Sequence, residues 1–344
     1  MSLANKYRPS DFNDVIGQGV VVDIVKAMCE SSELSNRNFL FTGPAGTGKT
    51  TLSRIIAKTL NGNTENIIEV DAASHSGVDD VRELIQQAAQ YPIGSKYKVI
   101  ICDEAHSFSN QAWQALLKCL EEQVGSTIWI FATTNPEKIP GTIISRVQTF
   151  KLSKISTENI QKRLKFILDS EIAEGQSITY TDEALSYIAR LAQGGLRDAI
   201  TSTDKVLAFG NNITTELVEK ALDLPNYDDY FSLLNALVKK DNSEIAKTLD
   251  MVYNSGTNFI KWFEGFHSFL CNIVKYVFLK DISRTMIPPH YADKLSKYGD
   301  QHAFICLRLA GVIMTMNKDL KLTQYQLETA ITYLCSPVTT KTGG

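Results

Sequence analysis

The sequence has no stretch approaching the ~18 uninterrupted apolar residues of a membrane-spanning helix, and its start, Met1-Ser2-Leu3-Ala4-Asn5-Lys6, lacks the apolar core of a secretory leader. An intracellular, cytoplasmic protein with no membrane partner is expected. Cysteine is sparse: Cys29, Cys102, Cys119, Cys271, Cys306 and Cys335 are scattered with no C-x-x-C pair. That spacing indicates neither a disulfide framework nor a zinc site, so the thiols read as small buried hydrophobes. An excess of either charge is missing too, since 35 Lys and Arg stand against 38 Asp and Glu for a formal net charge of −3. The chain is no polycation, and any binding to nucleic acid must rest on a local patch or on backbone amides. Repeats and low-complexity blocks are also absent. What remains is a 44% hydrophobic chain of 344 residues, more than one core usually serves, so two or three domains are expected.

Gly43-Pro44-Ala45-Gly46-Thr47-Gly48-Lys49-Thr50 is a complete G-x-x-x-x-G-K-[ST] phosphate loop. The strand-like run Phe39-Leu40-Phe41 precedes it, and the helix-like Leu52-Ser53-Arg54-Ile55-Ile56 follows. The glycines let successive N–H groups face phosphates, and the next helix adds the positive end of its dipole. Lys49 is expected to reach the β- and γ-phosphates of a nucleotide, and the Thr50 hydroxyl to hold Mg²⁺. Thr51, next in line, falls within the same binding segment.

Short β-branched runs alternate with helical periodicity up to about residue 152. The strand candidates are Asn38 to Thr42, Ile67 to Asp71, Val99 to Cys102, Ile128 to Ala132 and Thr149 to Leu152, which predicts a parallel sheet covered by helices. Residues 157 to 224 read as a small helical unit: Ile160, Leu164, Ile167 and Leu168 form one stripe, and Ala184, Leu185, Ile188 and Leu191 a second that opens on Thr181 as a cap. Leu224-Pro225-Asn226 marks a break. Beyond it the chain is helical again and bulky, with Phe259, Trp262, Phe263, Phe266, Phe269, Leu270, Ile273 and Val277 on a largely buried helix, Met286 to Pro289 as a connecting loop and Thr339 to Gly344 as a tail.

Lys98-Val99-Ile100-Ile101-Cys102-Asp103-Glu104 is an apolar strand ending in two acids. At the carboxyl end of a parallel strand these acids lie beside the ligand crevice. Asp103 is the expected Mg²⁺ partner and Glu104 the base that orients water, whereas His106 reads as a local hydrogen-bonding group. The next strand ends in Thr133-Thr134-Asn135. A hydroxyl there reaches the γ-phosphate or the water, or else simply caps the strand before Pro136. Arg146, just past a helix, is either an ordinary surface charge or a finger offered to a neighbour's nucleotide.

The order of Lys6-Tyr7-Arg8-Pro9, Val15-Ile16-Gly17-Gln18, the phosphate loop, Asp103-Glu104, Leu116 to Glu122, Ala132-Thr133-Thr134-Asn135, Ser145-Arg146 and Gly194-Gly195-Leu196-Arg197-Asp198-Ala199 resembles the AAA+ ATPase subunits of DNA polymerase clamp loaders. The bacterial tau/gamma subunit is the nearer likeness, the replication factor C small subunits the more distant. The resemblance is densest over residues 4 to 205. It implies an α/β AAA+ P-loop core over 1–153, a helical lid over 154–224 and an all-α collar for oligomerisation over 225–344. It places Tyr7, Arg8, Pro9, Val15, Ile16 and Gly17 around adenine. Thr133 or Thr134 becomes the first sensor, Arg197 the second, and Arg146 the finger acting in trans. The implied activity is ATP hydrolysis that opens a sliding clamp and places it on primer-template DNA, within a ring or spiral of loader subunits that the family makes pentameric. Alternatives are another AAA+ DNA-remodelling ATPase of helicase or initiator type, or a non-hydrolysing scaffold subunit.

Several departures bear on these expectations. A zinc module usual in tau/gamma subunits is replaced by Leu60 to Asn66, so ATP and Mg²⁺ are expected without zinc. Val147 stands where Cys usually follows Ser-Arg, and Gln123 where Pro follows Glu-Glu. The chain is expected to stop where a collar would end, an economy that suits a compact viral or otherwise reduced replisome, in the host cytoplasm if virus-encoded. By resemblance, Ser76, Gly77 and Arg82 at the start of a helix face DNA. Asp79 and Asp80 equally suit simple capping of that helix. Gly94 to Lys98 adds local positive charge, and Leu84 to Tyr91 offers either a clamp-facing surface or core packing.

Overall fold

Five short strands form one parallel sheet: β1 (Phe39–Thr42), β2 (Ile67–Asp71), β3 (Lys98–Asp103), β4 (Thr127–Thr133) and β5 (Gln148–Lys151), in the order β2-β3-β4-β1-β5. Register runs Thr42 beside Thr133, Phe41 beside Phe150 and Asp71 beside Asp103. The computed structural model describes residues 2–31, 38–62, 66–122, 126–254 and 259–316. Residues 63–65 of the expected zinc-module gap, Gln123, Cys335 and the tail 339–344 lie outside them, as does the Phe259 side chain.

The middle strands are continuous apolar runs because helices cover both of their faces. Leu40, Ile100, Cys102, Trp129 and Phe131 point to one side, where they meet Val81 and Leu84 of α4 (Val78–Ala88) and Trp113 and Leu116 of α5 (Asn110–Glu122). Phe39, Phe41, Val99, Ile101, Ile128 and Ile130 point to the other, against Val22 and Val25 of α2 (Gly19–Glu30) and Leu52, Ile55 and Ile56 of α3 (Lys49–Asn61). The two-residue period of each strand thus divides one apolar run between two cores. The short helices α1 (Leu3–Lys6) and α6 (Gly141–Ile144) lie before the stretch expected to be helical, within which fall α7 (Thr157–Ala173), α8 (Asp182–Leu191) and α9 (Leu196–Phe209). Leu84 belongs to the core and Ile85 packs against it, so the packing reading holds for those two residues.

The chain divides into two compact units, one of residues 1–178 and 188–208, the other of 179–187 and 209–344. The second contains a two-residue parallel pair, β6 (Thr179–Tyr180) and β7 (Asn212–Ile213), too short to leave a periodic signal. Its helices are α10 (Thr215–Ala221), α11 (Tyr227–Lys239), α12 (Asn242–Asn254), α13 (Phe259–Leu279), the short α14 (Ala292–Leu295) and α15 (Asp300–Met316). Asn226 caps α11 through Asp228 N–H, at the break marked by Pro225. Pro289, expected in a loop, opens a single 3-10 turn. Cys102, Cys119 and Cys306 are buried as expected, but Cys271 is exposed: it falls between the core positions Leu270 and Ile273 on the outer face of α13.

At the centre of the second core, Tyr230 is 1% exposed and donates its hydroxyl to the Trp262 carbonyl at 2.9 Å. Gly265 makes room for it, since a Cβ there would stand 2.1 Å from the Tyr230 oxygen. The Tyr230 ring is hemmed by Trp262, Phe266 and Phe269 and has nowhere to swing. Replacing a helical glycine by alanine ordinarily stabilises by up to about 1 kcal/mol. Gly265→Ala should instead destabilise by about 1–3 kcal/mol through overpacking, read as a lower urea midpoint; an unchanged or higher midpoint contradicts this packing.

On α10, Glu219 Oε1 is buried and has no hydrogen-bond partner among the described residues. His290 Nε2 stands 4.0 Å from the other oxygen. Burial, reinforced by Glu216 and Asp228, pushes the Glu219 carboxyl up from 4.5 to about 7. Between those values the folded chain holds a proton that the unfolded chain has lost, so stability falls as pH rises through this window. Glu219→Gln should therefore change little at pH 5 and stabilise at pH 8 by about 1 kcal/mol, discounted for solvent screening. Equal effects at the two pH values would refute the assignment.

Candidate active site

After Thr42 the chain turns through residues 43–48, and at two places no side chain fits. At Gly43 φ is +141°, and a Cβ would lie 2.3 Å from the Leu152 carbonyl oxygen. At Gly46 φ is +71°, and a Cβ would meet Gly195 Cα at 3.0 Å. The bare backbones meet there: the Leu196 N–H at the start of α9 donates to the Gly46 carbonyl at 3.0 Å. Thr47 Oγ1 donates to the Pro44 carbonyl at 2.8 Å. Lys49, only 6% exposed, donates Nζ to the Gly43 and Pro44 carbonyls at 2.9 Å each. Burial draws its pKa below the ordinary lysine value, while Glu104 and Asp103 pull it back up. A buried cation satisfied by neutral carbonyls is suited to exchange them for an anion.

The acids lie across from it. Thr50 Oγ1 donates to Asp103 Oδ2 at 2.6 Å, which sets two oxygen ligands side by side from α3 and β3. A hard cation such as Mg²⁺ takes such a pair. Glu104 is left-handed, at φ 46°, an uncommon setting for a residue with a side chain. Its Oε2 accepts from Thr134 Oγ1 at 3.1 Å and lies 3.3 Å from His106 Nδ1. Thr133, fully buried, has Oγ1 3.1 Å from the same Nδ1 and accepts the Asn135 N–H at 3.0 Å.

A cavity of about 380 Å³ opens between these groups, within the size range of small-molecule sites. Tyr7, Arg8, Pro9, Val15 and Ile16 form one wall, Ala45 to Thr51 the floor, Asp103 and Glu104 the acidic end, and Arg197 enters from α9. The apolar wall fits a nucleobase, and the amides and lysine fit phosphates. Among the described residues, no group of three or more His, Cys, Asp and Glu is arranged to hold a metal.

A family model described as "DNA polymerase III, delta subunit" matches residues 17–156, and one described as "DNA polymerase III clamp loader subunit, ATPase lid domain" matches 159–212. The DNA polymerase III subunit gamma of Buchnera aphidicola (Baizongia pistaciae) is 33% identical, over 90% of this chain and 90% of its own. The chain belongs to the DNA polymerase III gamma/tau family. The gamma/tau subunit of Mycoplasma genitalium is 32% identical over 91% of this chain, and the tau subunit of Escherichia coli 33% over 76%. The chain spans only 58% and 42% of those two proteins. A solved structure of the Thermotoga maritima RuvB Holliday junction branch migration motor has a TM-score of 0.53 at 22% identity, covering 67% of this chain and 79% of its own. At that identity the likeness is one of fold. The architecture is that of an AAA+ ATPase: a parallel sheet between helices, followed by a helical lid and collar.

For this gamma/tau relative, the cavity gathers the residues named from the sequence, with instructive exceptions. Gly17 does not line it but packs on Ile155, which does. Gly43 and Pro44 stand off its lining, their carbonyls accepting from Lys49, and so do Thr133 and Thr134, which contact His106 and Glu104 respectively. Arg146 is elsewhere, held by Glu121 at 2.5 Å and by the Thr142 carbonyl at 2.7 Å. At the start of α4, Asp80 accepts the Gly77 N–H at 3.1 Å, and Arg82 pairs with Asp79 at 2.9 Å. Local capping and pairing are therefore present alongside any role toward DNA.

Other contributors escaped the sequence reading. Gln18, 5% exposed, donates to the carbonyls of Ser153 at 2.7 Å and Thr47 at 3.4 Å and accepts from Ser153 N–H at 3.2 Å. It ties the loop to the end of β5. Arg54 and Glu69 form a two-pronged pair, 2.6 Å on each arm, on the cavity wall. Arg54 lies one helical turn beyond Thr50, which is the signal that points it toward the site. The Gly46–Gly195 approach leaves no room for a side chain at Gly46. Gly46→Ala should weaken nucleotide binding at least tenfold while leaving the sheet folded, as read by calorimetric titration beside a far-ultraviolet spectrum; wild-type affinity would show that the approach is dispensable.

Proposed function

We propose that this chain is an ATP-driven motor subunit of a sliding-clamp loader, which hydrolyses ATP to open a clamp and set it on primer-template DNA. The observation that carries the reading is that one cavity collects Lys49, Thr50, Asp103 and Glu104 from the core and Arg197 from α9. Nucleotide in such a cavity bears on core and lid together. In this reading Tyr7, Arg8, Pro9, Val15, Ile16 and Gly17 enclose adenine, and the segment from Gly43 to Thr51 holds the phosphates. Mg²⁺ would lie on Thr50 and Asp103. It supplies charge neutralisation on the phosphates when bound. Glu104 orients and deprotonates the attacking water, Thr134 and Thr133 support it as the first sensor, and Arg197 contacts the γ-phosphate as the second.

The core would span residues 1–153, the lid 154–224 and the collar 225–344, with several copies or sister subunits forming a spiral, pentameric by family expectation. Arg146 is then the finger toward a neighbouring nucleotide, released from Glu121. Ser76, Gly77 and Arg82 would meet DNA phosphates. Tyr91 and Ile93, 81% and 87% exposed just beyond α4, provide apolar surface for a protein partner such as the clamp. The four hydrolytic residues present in one site favour a motor over a non-hydrolysing scaffold subunit.

ATPase turnover with and without primed DNA and clamp tests the reading, and a rate that neither component changes would defeat it. Lys49→Ala should abolish nucleotide binding. Arg146→Ala should leave binding intact yet slow turnover of the assembly by about a hundredfold or more, and an unchanged rate would remove Arg146 from the finger role.

A further inference from the structure

We infer that His106 is a positioning residue for Glu104, an inference that rests on the ATPase reading above. The ring stands on a rigid platform. The Ala105–Ser107 turn is closed by Ser107 N–H to Glu104 C=O at 2.9 Å and by Phe108 N–H to Ala105 C=O at 3.1 Å. Ala105 is fully buried, and Phe108 packs edge-on against Trp113 at 5.3 Å. From this platform one nitrogen, Nδ1, faces both Glu104 Oε2 at 3.3 Å and Thr133 Oγ1 at 3.1 Å.

The carboxylate decides which way the ring is protonated. An ionised carboxylate only accepts hydrogen bonds, so an Nδ1 lone pair facing it would be repelled. Nδ1 therefore carries the proton, hydrogen-bonded to Thr133 Oγ1 and facing Glu104 Oε2. Thr133 Oγ1 accepts from Nδ1 and from the Asn135 N–H, which fills both its lone pairs. With Thr134 donating to Oε2 and the Nδ1 proton facing it at 3.3 Å, one oxygen of Glu104 is engaged and Oε1 is left unengaged among the described residues. The second oxygen is the one available to water at the cavity. His106 thus ties the end of β4 to the base and fixes which carboxylate oxygen works.

Three single variants, a double variant and the wild type, each as full-length protein with clamp and primed DNA, test this. His106→Ala should lower kcat about tenfold, the scale of one hydrogen bond to a charged group, with KM for ATP unchanged. His106→Asn, which keeps an N–H near the Nδ1 position, should retain at least a third of wild-type turnover. Glu104→Gln should itself lose turnover, and the double variant His106→Ala with Glu104→Gln should be no slower than Glu104→Gln alone, because His106 acts through Glu104. Wild-type turnover in His106→Ala overturns the inference alone. So does an Asn variant as slow as the Ala variant, which means simple packing, or an additive double variant, which means an independent role. Wild-type turnover in Glu104→Gln overturns both the inference and the assignment of Glu104 beneath it.

Discussion

The chemistry of this chain depends on a parallel register that puts the carboxyl ends of β3, β4 and β1 side by side. Because β1 lies between β4 and β5, the loop after it emerges with Thr133 on one flank and Leu152 on the other. Backbone bonds hold it there, from Gly43 N–H to Thr133 C=O at 3.3 Å and from Leu152 N–H to Thr42 C=O at 2.7 Å. Only then do Asp103 and Glu104, at the end of β3, come within reach of Thr50 and Thr134. The strands in turn depend on an apolar run dense enough to bury both faces. That density is why Phe39, Leu40 and Phe41 are each 0–1% exposed and why the loop they carry is fixed in place.

Legibility in the sequence follows the range of the interactions concerned. The strand runs, the phosphate loop and the acids at Asp103-Glu104 are local patterns whose physics is contained in a few neighbouring residues. The strands accordingly fall within one or two residues of expectation. Gln18 could not be read in the same way. Its role comes from the Ser153 backbone, 135 positions away, and a lone glutamine carries no sign of that partner. His106 was legible as a local hydrogen-bonder, and its Glu104 contact is local indeed, but Thr133 belongs to another strand. The β6–β7 pair was invisible because two residues cannot show a period, and Cys271 was misjudged because composition says nothing about which face of α13 it occupies.

Electrostatics within the site run against the chain's overall balance. A net charge of −3 gives no general attraction for polyanions, so affinity for phosphate has to be concentrated. Lys49 shows how: its burial lowers the cost of exchanging carbonyls for phosphate oxygens, because most of the desolvation is already present in the folded chain. The start of α4 is the opposite case. Asp79 and Asp80 satisfy the helix end and Arg82 from within, and their negative charge faces whatever approaches it. Contact with DNA phosphates there requires Arg82 to leave Asp79, an exchange between solvent-exposed partners.

Arg146 presents the same kind of exchange with a different balance. Its pair with Glu121 involves side chains 34% and 46% exposed, and ion pairs in such settings contribute about 0–1 kcal/mol. A guanidinium meeting phosphate oxygens with both its prongs, away from water, forms one of the stronger charge-assisted contacts available to a protein. In the proposed assembly the internal pair is therefore weak enough to yield to a neighbour's nucleotide. The Thr142 carbonyl accepts from the other arm of the same guanidinium and holds the side chain at the end of α6. Release from Glu121 then redirects the head of the arginine without unwinding the helix that carries it.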